Sequence, residues 1–249
     1  MNITSFSRSE IDKGLTAARA RNTETDNTVR ILFSPVSINR SNFEQVCNIY
    51  SHIGKKDFDT VVVIESSPGT FDKKLQMPSN KEFETSIGSV YVNDRLRNEF
   101  CDEDDDFFIE DSSYSSDLSL YNQLMMLQCT LDDFSVLSLQ ITDESEFIIK
   151  ELAGALEEIL ASKNALIVFC CNLDDNREAT EKIFRLAEDK NKSGLINFLN
   201  TEGNHFDGIG SLYTGLMVSE DWGLKVHLEK ENSKTIAAFA EMKRQPIFG

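Results

Sequence analysis

Histidine is scarce: only His52, His205 and His227 occur in 249 residues, and no HxH or HExxH spacing joins them. A zinc or iron site needs about three protein ligands of suitable type, and nothing in this spacing asks for one. Glycine at 12 and proline at 4 are too few for a turn-dense β-sandwich. Gly208, Gly210 and Gly215 are wrongly spaced for a GxGxxG phosphate turn, and neither a Walker sequence nor a GxSxG elbow is present. The cysteines Cys47, Cys101, Cys129, Cys170 and Cys171 include no CxxC. Reduced thiols packed as small apolar groups in a cytoplasmic protein are therefore expected. No window approaches the roughly 18 uncharged apolar residues of a membrane span. Met1 to Arg21 is too polar for a secretory signal. Positive charge is also short: 25 Lys+Arg face 42 Asp+Glu, a net −17. Such a surface repels phosphate backbones and anionic lipid heads unless a local basic patch exists, and none is evident. The expectation is no nucleic acid, no membrane, and a protein partner with a basic surface.

What is present suits one globular domain over residues 1–249: 40% hydrophobic and 27% charged. Ser7 to Arg21 predicts a helix with Ile11, Leu15 and Ala18 on one stripe and Ser9 as cap. Val29 to Ser34 predicts a strand, and Phe43, Val46, Cys47 and Tyr50 mark a helix from about Ser41. Thr60 to Ile64 is a β-branched run suited to a strand covered on both faces. Strands over Ser89 to Asn93, Phe134 to Ile141 and Ala165 to Cys171 alternate with helices over Leu118 to Gln128 and Phe147 to Ala161. Helices near Arg177 to Ala187, Gly194 to Leu199 and Gly208 to Met217 precede terminal strands Leu224 to Leu228 and Ile236 to Met242. The order predicts a three-layer α/β domain with a mixed, largely parallel central sheet flanked by helices.

The acidic run Asp102 to Asp106 reads, with its flanks, as a solvated loop over residues 101–117. It lacks the EF-hand spacing of a calcium site. In an open α/β sheet ligands sit at the loops after the strands. Here those loops carry Ser34-Pro35-Val36-Ser37, Glu65-Ser66-Ser67-Pro68-Gly69 and Asn172-Leu173-Asp174-Asp175, rich in oxygen and poor in nitrogen and sulfur. No poised base or nucleophile stands out. Only Arg40 lies near a crevice loop, which disfavours an anionic ligand there.

The order of these loops resembles the Memo-like family (AmmeMemoRadiSam system protein B), whose fold is similar to class III extradiol ring-cleavage dioxygenases. Glu84-Thr85-Ser86-Ile87-Gly88-Ser89-Val90-Tyr91-Val92-Asn93 follows the family's T-P-L-G-x-x-x-V-D pattern. Ile31 to Pro35 looks like the strand before P-H-A-G-Y, and Val63 to Ser67 like the L-G-P-S before paired histidines. Asp117 to Leu124 is similar to E-H-S-L-E-x-Q-L, Val168 to Asn172 to V-x-S-S-D, and Glu202 through Gly210 to C-G-x-x-P-I.

The resemblance implies a histidine- and cysteine-rich pocket able to hold a redox metal, and this chain departs from it at each position. Val36, Pro68, Gly69, Leu118 and Asp175 stand where the family has histidine, and Glu202 where it has cysteine. The vestigial crevice is thus Val36, Ser37, Ser67, Pro68, Gly69, Asp117, Leu118, Asn172, Asp175 and Glu202. No catalytic residue, metal or cofactor is expected, and a binding or scaffold module follows. The alternatives are a dioxygenase-like oxidoreductase with ligands relocated to His52, His205 or His227, and small-molecule or peptide binding in the polar crevice. Asp117, Asp175 and Glu202 leave a hard cation as a further option.

Overall fold

The computed structural model describes residues 6–22, 28–114, 119–173, 177–189, 191–199, 201, 206–229 and 237–242. Helix α1 (Arg8–Arg19) leads to β1 (Thr28–Ser34), α2 (Phe43–Ser51) and β2 (Thr60–Ser66). Short elements follow: β3 (Leu75–Met77), β4 (Glu82–Thr85), β5 (Gly88–Tyr91), α3 (Asp94–Glu103) and β6 (Phe107–Ile109). Then come α4 (Leu120–Thr130), β7 (Ser135–Ile141), α5 (Glu146–Leu160) and β8 (Ala165–Cys170). The last are α6 (Arg177–Glu188), α7 (Lys192–Leu199), α8 (Ile209–Asp221), β9 (Lys225–Glu229) and β10 (Ala237–Met242).

Among the described residues eight strands form one sheet in the order β6-β3-β7-β2-β8-β1-β10-β9. The middle four, β7, β2, β8 and β1, run parallel. β3 and β10 join them antiparallel. β2 sits between β7 and β8, where Val62 faces Leu137 on one side and Ile167 on the other. Its residues split by parity: Val62 and Ile64 enter the apolar cluster beneath α5 and α8, and Val61 and Val63 the cluster beneath α1, α2 and α4. Burial on both faces explains the unbroken β-branched run. The expected three-layer α/β architecture is what the chain adopts.

Helix α1 is capped by Ser7, not Ser9. The Ser7 side chain accepts from Glu10 N–H while the Glu10 carboxylate accepts from Ser7 N–H, a reciprocal capping box. The acidic segment is also corrected. Residues 101–103 complete α3, and β6 pairs with β3 at the sheet edge with Phe107 buried. The apolar side chains Phe107 and Phe108 outweigh the adjoining charges, and Phe107 packs on Phe100 with ring centroids 5.2 Å apart. The stretch carrying the family pattern folds as the β4–β5 hairpin, outside the main sheet. Its turn uses a positive φ of 145° at Gly88, and Thr85 Oγ1 donates to Gln128 Oε1 of α4 at 2.6 Å.

Candidate functional site

The carboxyl ends of β1, β2, β7 and β8 meet the amino end of α8 on one face of the sheet and that of α4 on the other, and a buried acid lies on the α4 face. Glu65, 4% exposed, accepts from Gln140 Nε2 at 2.9 Å and from the Ser119 hydroxyl. Burial pushes its carboxyl above the ordinary range, and the two hydrogen bonds only partly offset this. Cys170 is fully buried nearby, its thiol raised by burial and then by Glu65. On the β1 side Tyr50 Oη donates to Gln123 Oε1 at 2.7 Å, and Gln123 Nε2 donates to the Pro35 carbonyl at 2.9 Å. Burial likewise raises the Tyr50 phenol. Burial thus favours the neutral forms of Glu65, Cys170 and Tyr50 relative to the same groups in water.

The amino end of α8 is where an anion would ordinarily find free N–H groups. Here Glu144 Oε1 accepts from Gly210 N–H at 2.9 Å and Ser66 Oγ from Ser211 N–H at 3.1 Å. A Cβ on Gly210 would meet Glu144 Cγ at 2.9 Å and Ser66 Oγ at 3.0 Å. The glycine is what lets these side chains close over the helix end. Gly208, at φ +80°, sits equally close to the Cys170 carbonyl, where an added Cβ would fall 2.4 Å from the oxygen.

Of the crevice residues named from the sequence, Val36 and Asn172 are in direct contact. Asn172 Oδ1 accepts from Val36 N–H at 3.1 Å, and Asn172 Nδ2 donates to Asp207 Oδ2 at 3.2 Å. Val36 packs against the cluster under α1 and α2. Ser67 and Gly69 donate backbone N–H to the carbonyls of Ile141 and Thr142 at 2.8 and 3.2 Å. Ser37 and Pro68 are exposed. Arg40 is turned to Glu10, 3.5 Å away. Asp117, Leu118, Asp175, Glu202 and His205 lie outside the described residues.

Sequence reasoning missed Glu65, and with it Ser119, Gln140, Glu144 and Ser211. One signal was available: a carboxylate directly after Val61-Val62-Val63-Ile64 in a strand covered on both faces must find partners or stay neutral. His52 and His227 do come together, at the opposite end of the sheet. Both rings lie against Phe239, with centroids 4.3 and 5.0 Å away, and His227 Nε2 is 2.8 Å from Glu241 Oε1. Burial lowers the His52 pKa. Among the described residues no group of three or more His, Cys, Asp or Glu is placed to hold a metal ion. Among them, too, no helix is long and apolar enough to cross a membrane.

The family model described as "Memo-like protein" matches residues 6–237. A MEMO1 family protein of Nitrosopumilus maritimus (strain SCM1) is 27% identical over 145 residues, 58% of this chain and 52% of that protein. The match thus spans about half the length of that relative. The fold is similar to the crystal structure of uncharacterized protein JW3007 from Escherichia coli K12. That likeness has a TM-score of 0.52 and 13% identity, covering 87% of this chain and all of the other. With the family model matching nearly from end to end, this chain belongs to the Memo-like protein family.

Proposed function

We propose that this Memo-family protein is a non-catalytic binding module whose site no longer holds a redox metal. One observation supports the reading above others: the strand ends are filled by a buried hydrogen-bonded network around Glu65. The donor set points the same way. Val36, Pro68 and Gly69 stand where the resemblance places histidines, and their side chains carry no nitrogen, oxygen or sulfur. Asn172, Ser66 and Glu144 are spent on backbone amides. A transition ion seeking imidazole or thiolate does not fit this arrangement. For Leu118, Asp175 and Glu202 the reading rests on the sequence. The free thiols suit a reducing compartment such as the cytoplasm.

The test is elemental analysis of the purified chain, together with oxygen uptake on an aromatic diol. Metal far below one ion per chain and no uptake are expected; stoichiometric iron, copper or zinc, or turnover, sinks the proposal. The net charge of −17 suits a partner with a basic surface. Capture of such a partner should weaken as salt rises, and binding indifferent to ionic strength would remove that half of the reading.

A relocated-ligand oxidoreductase is the second reading, favoured by the meeting of His52, His227 and Glu241. Its difficulty is that both imidazoles lie against Phe239 rather than converging on one point. Under that reading alone, His227→Ala would lower the metal content of the purified protein.

A further inference from the structure

A polar pocket of about 340 Å³ lies between α1, α4 and the connection from α2 to β2, lined in part by Arg8, Asp12, Arg19, Lys55, Cys129 and Asp132. It gathers three cations in a molecule of net charge −17, a local concentration that the linear sequence conceals. Arg8 and Lys55 are loosely paired, at 3.9 Å from Asp12 and 3.6 Å from Asp132, distances too long for hydrogen bonds. Arg19 makes no ion pair among the described residues. Its Nη2 donates to the Ile53 carbonyl at 3.3 Å, which ties the guanidinium to the pocket wall and leaves its remaining N–H groups unspent.

The other polar groups of the wall are occupied. Thr16 Oγ1 donates to the Asp12 carbonyl at 2.8 Å, and the Gln128 amide is bound to Thr85 and Gly88. The Cys129 thiol is pushed up to about 11, by burial first and then by Asp12, so it adds no negative charge near neutral pH. Among the described lining residues, three cations facing two carboxylates therefore leave one positive charge in excess, with Arg19 its source.

We propose that this pocket binds a small oxyanion, the carboxylate or phosphate group of a metabolite-sized ligand, with Arg19 as its anchor. A guanidinium offers paired N–H donors matched to two oxygens of such a group, and Arg8 and Lys55 add charge from the same wall. The volume falls near the lower end for small-molecule sites. The pocket is remote from the strand ends, so it stands or falls independently of whether the Memo-type site is degenerate.

The experiment is calorimetric titration of the full chain with inorganic phosphate and, separately, with citrate, at constant ionic strength. Saturable binding is expected. Phosphate alone identifies a phosphoryl ligand, and citrate alone or together with phosphate identifies a carboxylate-tolerant site. Arg19→Gln should weaken binding about ten-fold or more, the usual scale for one charge-assisted hydrogen bond. Lys13→Gln, on α1 but outside the pocket, should leave it unchanged. Lys55→Gln carries the same comparison at an exposed side chain should Arg19→Gln fold poorly. No saturable binding of either anion, or equal affinity in wild type and both pocket variants, overturns the proposal.

Discussion

Glu65 shows how a single residue closes a site. Its carboxyl, held above the ordinary range by burial, needs an acceptor for its proton when neutral. The Gln140 side-chain oxygen is buried without a partner, and a flip of that amide would bring it to Glu65. The unfolded chain releases the Glu65 proton near the ordinary value of about 4.3. Between that pH and the raised folded pKa, the folded state keeps a proton that the unfolded state has lost. Stability therefore falls as pH rises through that window and stays lower above it. Glu65→Gln, which stays neutral and can donate to the flipped Gln140, is expected to reduce this slope, leaving the part owed to other raised acids. Thermal melts followed by circular dichroism across the acid range would show it; an unchanged slope in the variant would assign the titration elsewhere. None of this was legible in the sequence beyond the oddity of a glutamate after four β-branched residues, because its partners lie 54 and 75 positions away.

Among the elements, α8 depends most on close approach. A Cβ on Gly215 would meet the Phe33 ring at 2.5 Å and the Phe169 ring at 2.7 Å, so only glycine lets the helix reach the sheet there. Gly154 of α5 faces open space, with nothing within 4 Å of its would-be Cβ. Gly215→Ala is expected to cost about 1–3 kcal/mol by overpacking, and Gly154→Ala to gain up to about 1 kcal/mol of helix propensity. Urea denaturation of the pair checks both signs at once. The long helices were readable from periodicity over about a dozen residues, and the central strands from unbroken apolar runs, Val61 to Ile64 in β2 and Ala165 to Cys170 in β8. α3 was not, since Leu96, Phe100 and Cys101 are its only apolar side chains among ten residues and the buried Arg97 is charged. β3 is missed for a related reason: three residues are too few to show alternation, and its central Gln76 is fully buried, its side-chain Oε1 accepting from the Ser112 hydroxyl and Ser113 N–H.

Over the whole molecule, charge works against compactness. Carboxylates crowd one another beside α5: Glu103 is raised by desolvation and then by Glu158, and Glu151 by desolvation and then by Asp104. Acids whose folded pKa is raised oppose folding once ionised, and the opposition fades as pH falls through those values. With a net charge of −17, the melting temperature near neutral pH should rise as sodium chloride goes from about 20 to about 300 mM, because screening weakens the mutual repulsion. A scanning-fluorimetry series measures this directly, and a falling melting temperature would mean that attractive ion pairs dominate instead.

The sequence by itself determined the layers, the near-order of the elements and the replacement of Val36, Pro68 and Gly69, since hydrophobic period and residue identity are local properties. Only the tertiary structure decided that Glu65, Ser119 and Gln140 meet, that Glu144 closes the end of α8, and that Arg8, Arg19 and Lys55 share a pocket. Those encounters join side chains from separate elements, and nothing in a residue's immediate neighbours encodes which distant polar group will satisfy it once water is gone.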